Sequence, residues 1–301
     1  MSKNLFNEII TDKQSWKKCY YSKEIFMPLL KYICETNHIK FAEPQKTAGT
    51  TVFRVGDTII KLFNPLEFKF KDVYAEYNTE LEAMKFCKSL GVLTPDVICD
   101  GIVYDKYSFP YIVTGYIDGI ASPEVLDNCN KSEKTEFYLK LKEIADKIHV
   151  PTNINIPRYD DSKIINHELW NIMPESFRED RKNYLSSVKI PAPVFIHGDL
   201  GHRNIIIDKR GRLNLIDFAD GIIAPYYLEY KYYLGDEIIK ELCFGDCTKD
   251  ELYEIFTIVC LIDYYGAELI KIRANDLSID FSSITSVNAL RDLTIKKLNK
   301  T

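Results

Sequence analysis

Short apolar runs in the first half of the chain predict a small β-sheet. Residues 52–55 and 58–63 are rich in β-branched side chains and flank Gly56 and Asp57, a pattern typical of a hairpin with a two-residue turn. Residues 109–114 form another apolar run and predict a further strand. These segments indicate an antiparallel sheet in the N-terminal part of the chain.

Longer amphipathic stretches predict helices. Residues 72–90 contain neither glycine nor proline, carry apolar residues at helical spacing and are followed by Gly91, which predicts a helix that ends at a glycine cap. Ser132 is a candidate N-cap for a helix that extends to about residue 149. The same pattern predicts that the rest of the chain is mainly helical, over residues 162–188, 227–240, 249–273 and 286–299.

A second hairpin is predicted within the C-terminal half. Residues 194–196 form a short apolar strand, and two further apolar runs, 205–207 and 213–216, flank a polar turn that contains Gly211. The polar residues 197–204 form a loop between the first strand and the hairpin.

Three oxygen-bearing side chains lie at the ends of these strands. Asp199 lies in the loop, Asn204 directly precedes the hairpin, and Asp217 directly follows it. Because residues at the open end of an antiparallel pair are neighbours, Asn204 and Asp217 are expected to converge. Phosphoryl transfer needs one carboxylate near the attacking hydroxyl, and a carboxamide and a second carboxylate that hold Mg²⁺ against the nucleotide phosphates.

The segment from His197 to Asn204, together with Ile216-Asp217-Phe218-Ala219-Asp220, resembles the aminoglycoside phosphotransferase and choline kinase-like family, which shares its fold with protein kinases. The resemblance implies that Asp199 is the catalytic base and that Asn204 and Asp217 bind Mg²⁺. It also implies a bilobal α+β fold. Residues 1–114 are then a nucleotide-binding lobe with an antiparallel sheet, a helix and an N-terminal helical extension. Residues 115–301 are a larger, mainly helical lobe for catalysis and substrate binding.

The resemblance also assigns a phosphate-binding loop and a lysine. Ala48, Gly49 and Thr50 are small residues that let backbone amides approach phosphates. Lys61 interrupts an apolar strand, so by itself it either faces solvent or lies inward and paired. The order of loop, strand, turn and second strand is that of kinase-like folds, and it favours Lys61 as the ligand of the α- and β-phosphates of ATP or GTP.

Two further features complete this nucleotide site. Glu76 and Glu80 share one face of the predicted helix, and the similarity of the segment after the helix favours Glu80 as the partner of the lysine. The family's hinge segment places the backbone groups that bind the nucleotide base at Gly115 and Ile117. Backbone recognition leaves the choice between ATP and GTP open.

Composition limits the remaining classes of function. The chain has 301 residues, of which 46% are hydrophobic, and no apolar run approaches the length of a membrane span. A net charge of −5 argues against nucleic acid as a partner. The N-terminus lacks an apolar signal segment, and the eight cysteines are scattered, so we expect a cytoplasmic protein with reduced thiols. The oligomeric state stays open.

Charge gives one indication about the acceptor. Residues 222–270 have an excess of acidic side chains. If these side chains line a cleft, they would concentrate a polycationic molecule such as an aminoglycoside. Solvated helix faces would explain the same excess of acidic residues. The first hypothesis is therefore transfer of the γ-phosphate to a hydroxyl of an aminoglycoside-like amino sugar, which implies antibiotic resistance. The alternatives are another alcohol (choline, homoserine, a thiosugar or a macrolide) or a nucleotide-binding pseudokinase. Residues 222–270 contain three basic and ten acidic side chains: Glu229, Asp236, Glu237, Glu241, Asp246, Asp250, Glu251, Glu254, Asp263 and Glu268.

Overall fold

The computed structural model of the protein describes residues 4–47, 51–66, 74–231, 243 and 245–298. The chain divides into two compact units, each made of segments from distant parts of the sequence. The functional division of the chain after residue 114 stays a prediction. The first unit consists of Met1–Ser122, Ile154–Ile156 and Arg203–Gly221, and the second of Pro123–Asn153, Pro157–His202 and Ile222–Thr301.

The first unit is built on a five-stranded antiparallel sheet. Its strands are β1 (Gln45–Lys46), β2 (Val52–Val55), β3 (Thr58–Leu62), β4 (Val97–Tyr104) and β5 (Ser108–Gly115), and their order in the sheet is β1-β2-β3-β5-β4. The predicted hairpin is confirmed, and Gly56 takes the left-handed φ of +62° that its turn requires. The edge strand β4 was not predicted, because Asp100 and Gly101 interrupt its apolar pattern.

One face of this sheet packs against the N-terminal helices α1 (Lys13–Cys19) and α2 (Met27–Thr36). Since side chains alternate along a strand, Ile60 and Leu62 of β3 point into this core and Lys61 points to the opposite face. The core is rich in aromatic residues, which include Phe6, Trp16, Phe26, Phe53 and Phe109.

Helix α3 (Ala75–Ser89) lies over the face of the sheet that carries Lys61. Gly91 follows the helix with φ +75°, and its N–H donates to the Lys88 carbonyl at 3.0 Å, while the Val92 N–H donates to the Cys87 carbonyl at 3.0 Å. These two bonds give hydrogen-bond donors to carbonyls that would otherwise lack one at the end of the helix. The predicted glycine cap is therefore confirmed.

The second predicted hairpin is also confirmed. Strands β8 (Ile205–Asp208) and β9 (Leu213–Leu215) pair antiparallel, and β6 (Gly119–Ala121) extends this sheet on the other side of β8. A Cβ atom on Gly119 would lie 2.4 Å from the Ile207 carbonyl oxygen, so only glycine allows this pairing.

The second unit is mainly helical and has its own core, which includes Trp170, Phe177 and Leu261. Strands β7 (Val194–Ile196) and β10 (Ile222–Ala224) pair antiparallel beside it. None of the helices among the described residues is both long and apolar enough to cross a membrane. The remaining α-helices of the described residues are α4 (Ser122–Leu126), α5 (Lys131–Ile148), α6 (Asp161–Ile165), α7 (Glu175–Ser187), Lys249–Ile262, Gly266–Asp276 and Val287–Leu298.

The predicted start of helix α5 was wrong. The cap of α5 is Asn130 rather than Ser132, because Asn130 and Glu133 bond reciprocally to each other's backbone N–H groups at 3.1 and 2.8 Å. At the start of the helix predicted over residues 227–240, Tyr226–Tyr230 forms a short 3-10 helix, and residues 232–242 of that prediction lie outside the described residues.

The single helix predicted over residues 249–273 is two helices. Asp263 leaves the helical conformation, with ψ of 141°, and the chain turns before Gly266. The buried Arg181 guanidinium donates to the Leu261 carbonyl from Nε and Nη2, at 2.9 and 2.6 Å, and stacks on the Trp170 ring at 3.6 Å. A cation at a helix C-terminus is favourable. Burial lowers the pKa of Arg181 to about 10, so the side chain stays charged at neutral pH.

This turn gives a test of the fold. A Cβ atom on Gly266 would lie 1.9 Å from the Cys260 carbonyl oxygen and 2.8 Å from the Trp170 ring. We expect Gly266→Ala to lower the free energy of unfolding by about 2 kcal/mol or more, because backbone must move to make room. Chemical unfolding measures this change. The exposed Asn275→Ala on the same helix is the control, and equal stability of the two variants would contradict this packing.

Candidate active site

The Lys61 ammonium is shared between two carboxylates. Its Nζ lies 2.6 Å from Glu80 Oε2 and 2.6 Å from Asp217 Oδ1. Strand β3 supplies the lysine, helix α3 supplies the glutamate, and the residue directly after strand β9 supplies the aspartate. The structure thus joins three of the predicted site residues within the first unit. Their roles toward a nucleotide stay predictions.

The two halves of this ion pair differ in strength. The Glu80 side chain is 7% exposed and that of Asp217 is 53% exposed. Solvent screens an exposed ion pair, so the contact of Lys61 with Glu80 is stronger than its contact with Asp217. The contact with Asp217 is therefore the one that Lys61 more easily gives up for another anion. Burial acts to lower the pKa of Lys61, but the two carboxylates outweigh it and raise that pKa, so the ammonium stays charged.

Asp217 has an unusual backbone. Its φ is +62°, a left-handed conformation that costs a residue other than glycine roughly 1 kcal/mol, although aspartate tolerates it better than most. Just before it, the Ile216 N–H donates to the Asn204 carbonyl at 3.0 Å and closes the hairpin. This bond brings the backbones at Asn204 and Asp217 together, as was predicted from their positions at the two ends of the hairpin.

The side chains of Asn204 and Asp217 fit a Mg²⁺ ion chemically. They offer a carboxamide oxygen and a carboxylate oxygen, and Mg²⁺ takes oxygen ligands, usually one or two from protein and the rest from phosphates and water. The described part of the chain contains no cluster of three or more His, Cys, Asp or Glu side chains that could hold a metal ion.

The loop that carries Asp199 belongs to the second unit and is held by a buried glutamate. Glu229 is 1% exposed and accepts backbone N–H bonds from His197, Gly198 and Leu200 at 2.6, 3.0 and 3.3 Å. Gly198 has φ +81°, which turns successive N–H groups toward this carboxylate. Asp199 is half-buried within the same turn. Glu229 therefore fixes the backbone on both sides of the predicted catalytic base.

Glu229 stays ionised in this buried position. Burial acts to raise its pKa, but the hydrogen bond from His149 Nε2, 3.5 Å away, the nearby His197 and the loop N–H groups outweigh this effect and lower the pKa. Sequence reasoning placed Glu229 among surface acids and missed this role. Its position between the buried Leu228 and Tyr230 was the available signal.

Of the predicted hinge and phosphate-loop residues, the structure describes the two hinge residues, Gly115 and Ile117. Gly115 ends β5, and its N–H donates to the Asp96 carbonyl at 2.9 Å, so its own carbonyl oxygen is the group that could meet a nucleotide base. Ile117 lies in the irregular segment between β5 and β6. The predicted phosphate loop, Ala48, Gly49 and Thr50, lies outside the described residues.

Several of the acidic residues expected near a cationic acceptor have other partners. Asp263 is 4% exposed and pairs with Lys231 at 3.3 Å, and Glu229 holds the Asp199 loop. Glu251 caps its helix through Thr248, and Glu254 accepts a hydrogen bond from Tyr184. The buried Glu229 and Asp263 therefore do not belong to a cation-attracting surface, and for the other acidic residues that interpretation stays a prediction. Three other members, Asp236, Glu237 and Glu241, lie outside the described residues.

Comparison with known proteins identifies the fold. No protein-family model matches the chain, and no curated protein matches its sequence. The APH(2″)-IIIa complex with GDP and kanamycin has a TM-score of 0.58 at 18% identity, over 88% of this chain and 98% of that one. The streptomycin–ATP ternary complex of APH(2″)-IIa has a TM-score of 0.59 at 14% identity, over 94% and 99% of the two chains. The chain has the aminoglycoside phosphotransferase fold.

Choline kinase LicA from Streptococcus pneumoniae also has this fold, with a TM-score of 0.52 at 16% identity, over 91% of this chain and 99% of that one. The aminoglycoside phosphotransferase fold confirms the predicted α+β class and the kinase-like, bilobal architecture. At these identities the likeness concerns the fold, and the chemistry of this chain rests on its own residues.

The buried Glu229 generates a prediction about pH. Its pKa in the folded state lies below the usual 4.5, so its stabilisation is fully present above about pH 4.5 and is lost as the pH falls through the folded-state pKa. We expect Glu229→Gln to lower the free energy of unfolding by about 2–3 kcal/mol at pH 7, because hydrogen bonds to a charged group are lost.

Urea unfolding between pH 6 and pH 3.5 measures this dependence. The variant should lose less stability on acidification than the native protein does. The exposed Glu268→Gln serves as the control and should keep the native pH dependence. Identical pH profiles for Glu229→Gln and the native protein would contradict the ionised state assigned to Glu229.

Proposed function

We propose that this protein is a small-molecule kinase that transfers the γ-phosphate of ATP or GTP to a hydroxyl group. The observation that carries the proposal is the Lys61 ammonium held between Glu80 and Asp217. A lysine fixed by a buried helix carboxylate and next to a metal-binding aspartate is the arrangement that positions nucleotide phosphates in kinase-like enzymes.

The nucleotide is bound by the first unit in this proposal. Lys61 keeps its buried contact with Glu80 and exchanges the exposed contact with Asp217 for a phosphate oxygen. Asn204 and Asp217 hold Mg²⁺, which when bound neutralises charge on the phosphates. The Gly115 carbonyl and the Ile117 N–H bind the base.

Asp199 acts on the acceptor. Its carboxylate orients the acceptor hydroxyl and takes the hydroxyl proton as the acceptor oxygen bonds to the γ-phosphorus, while the bond from that phosphorus to the departing nucleoside diphosphate breaks. Since the transition state of phosphoryl transfer is loose, catalysis comes mainly from positioning and from neutralisation of charge. The three N–H bonds to Glu229 support this role, because they fix the turn that presents Asp199.

We propose an aminoglycoside-like amino sugar as the acceptor. Two of the compared structures contain kanamycin or streptomycin, which supports this class. The choline kinase among them supports a smaller amino alcohol as the second candidate. Both acceptor classes combine a hydroxyl with a cation. A role in antibiotic resistance would follow from the first class alone.

Substitution of Asp199 tests the catalytic assignment. We expect Asp199→Asn to lower turnover about a thousandfold, within the range that general-base catalysis contributes, while nucleotide affinity changes less than about twofold. Steady-state phosphorylation and nucleotide titration measure the two quantities. The exposed Asp127→Asn in the same unit should behave like the native protein. Retention of turnover in Asp199→Asn would remove Asp199 from the mechanism.

A nucleotide-consumption screen tests the acceptor class. With Mg²⁺ and either ATP or GTP, we expect phosphorylation of an amino sugar within a panel of aminoglycosides, choline and other amino alcohols, homoserine, thiosugars and macrolides. Mass spectrometry of the product should show one added phosphate. Activity only on another member would replace the acceptor class but keep the kinase. Nucleotide binding without turnover on any compound would favour a pseudokinase.

A further inference from the structure

We propose that Tyr77 and Asp100 are positioning residues for nucleotide binding, because their hydrogen bond and the Glu80–Lys61 ion pair together fix helix α3 on the sheet. The inference rests on the proposed function, since it concerns how Lys61 is held for the phosphates. It assigns a role to two residues that do not themselves reach the nucleotide.

The sheet places both contact points in a single row. Lys61 on β3 lies opposite Ile112 on β5, and Ile112 lies opposite Asp100 on β4. Residues in such a row point to the same face, so Lys61, Ile112 and Asp100 all face α3. Adjacent strands are about 4.8 Å apart, which puts the two ends of the row about 10 Å apart.

Helix α3 meets this row at both ends. Glu80 pairs with Lys61 at 2.6 Å, and the Tyr77 hydroxyl donates to Asp100 Oδ2. Residues three apart on a helix share a face, so one turn of α3 supplies both contacts. The Ile112 side chain, 2% exposed, lies between the two polar ends of the row.

Two contacts constrain the helix in a way that one cannot. With the ion pair alone, α3 could pivot about the Lys61 ammonium, and the long lysine side chain would follow. The bond from Tyr77 to Asp100 on the edge strand removes this freedom. The more distant Lys88–Asp96 pair has side chains that are 60% and 78% exposed, and exposed pairs contribute little.

Tyr77 is well suited to act as the second anchor. Its ring packs against Phe63 with a centroid distance of 5.7 Å, directly beyond the end of β3. The side chain is 9% exposed, and burial together with the bond to Asp100 raises the pKa of the Tyr77 hydroxyl, which therefore stays a donor at neutral pH. The ring fixes the helix laterally, and the hydroxyl fixes its rotation.

The experiment compares two tyrosines of the same unit. Tyr77→Phe keeps the ring and removes the hydroxyl, and Tyr111→Phe does the same on the opposite face of the sheet, where the hydroxyl accepts a bond from Asn37 at 2.9 Å. Dissociation constants for Mg²⁺-ATP and Mg²⁺-GTP and the thermal midpoint are measured for the native protein and for both variants.

We expect both variants to lose similar thermal stability and only Tyr77→Phe to bind nucleotide about three- to tenfold more weakly, because the binding-competent position of α3 becomes a minority state. Asp100→Asn should bind like the native protein, since its amide oxygen still accepts from Tyr77. Asp100→Leu should match Tyr77→Phe. The double variant Tyr77→Phe/Asp100→Leu should be no weaker than either single variant, because one bond is lost in all three.

The outcomes separate the inference from the proposed function. A native protein that binds neither nucleotide would overturn the proposed function and, with it, this inference. Nucleotide binding by the native protein with equal affinity in Tyr77→Phe and Tyr111→Phe would overturn the positioning role alone. Additive losses in the double variant would show that Tyr77 and Asp100 act separately, which also overturns it.

Discussion

The first unit is organised around one ammonium group and two carboxylates. Burial of the Glu80 carboxylate would be unfavourable without a partner, and Lys61 supplies it at 2.6 Å. The position of α3 on the sheet depends on this contact, and so does the direction in which the lysine points. The second carboxylate, on Asp217, ties the hairpin of β8 and β9 to the same point. Strand, helix and hairpin therefore meet at a single charged atom.

Local patterns were sufficient to predict the elements that carry these groups. Both hairpins follow from apolar runs on either side of a glycine-containing turn, and the end of α3 follows from Gly91. The convergence of Asn204 and Asp217 could be predicted because a hairpin brings its two ends together without help from the rest of the chain. The choice of Glu80 as the partner of Lys61 needed the family resemblance, since Glu76 lies on the same helix face.

Groups whose role depends on distant residues could not be predicted. The neighbours Leu228 and Tyr230 indicate that Glu229 could be buried, but its hydrogen-bond partners appear only when the loop from His197 to Leu200 is folded around it. The helix that ends at Ile262 is capped by Arg181, about eighty residues earlier in the chain. The Arg181 guanidinium donates to the Leu261 carbonyl. In both cases a charged side chain is buried with backbone partners, and hydrophobic periodicity contains no information about such partners.

The alternation along β3 has a consequence for the reliability of assembly. Ile60 and Leu62 enter the apolar core, while Lys61 faces the helix that carries Glu80. A slip of one residue in the pairing of this strand would move the lysine into a cluster of phenylalanines and turn both aliphatic side chains toward the buried Glu80 carboxylate on α3. A chain with this slip would fail to fold and would not form a folded but inactive protein. The pairing register of β3 therefore also fixes the direction of Lys61. A chain that folds with the correct register has its lysine directed into the site.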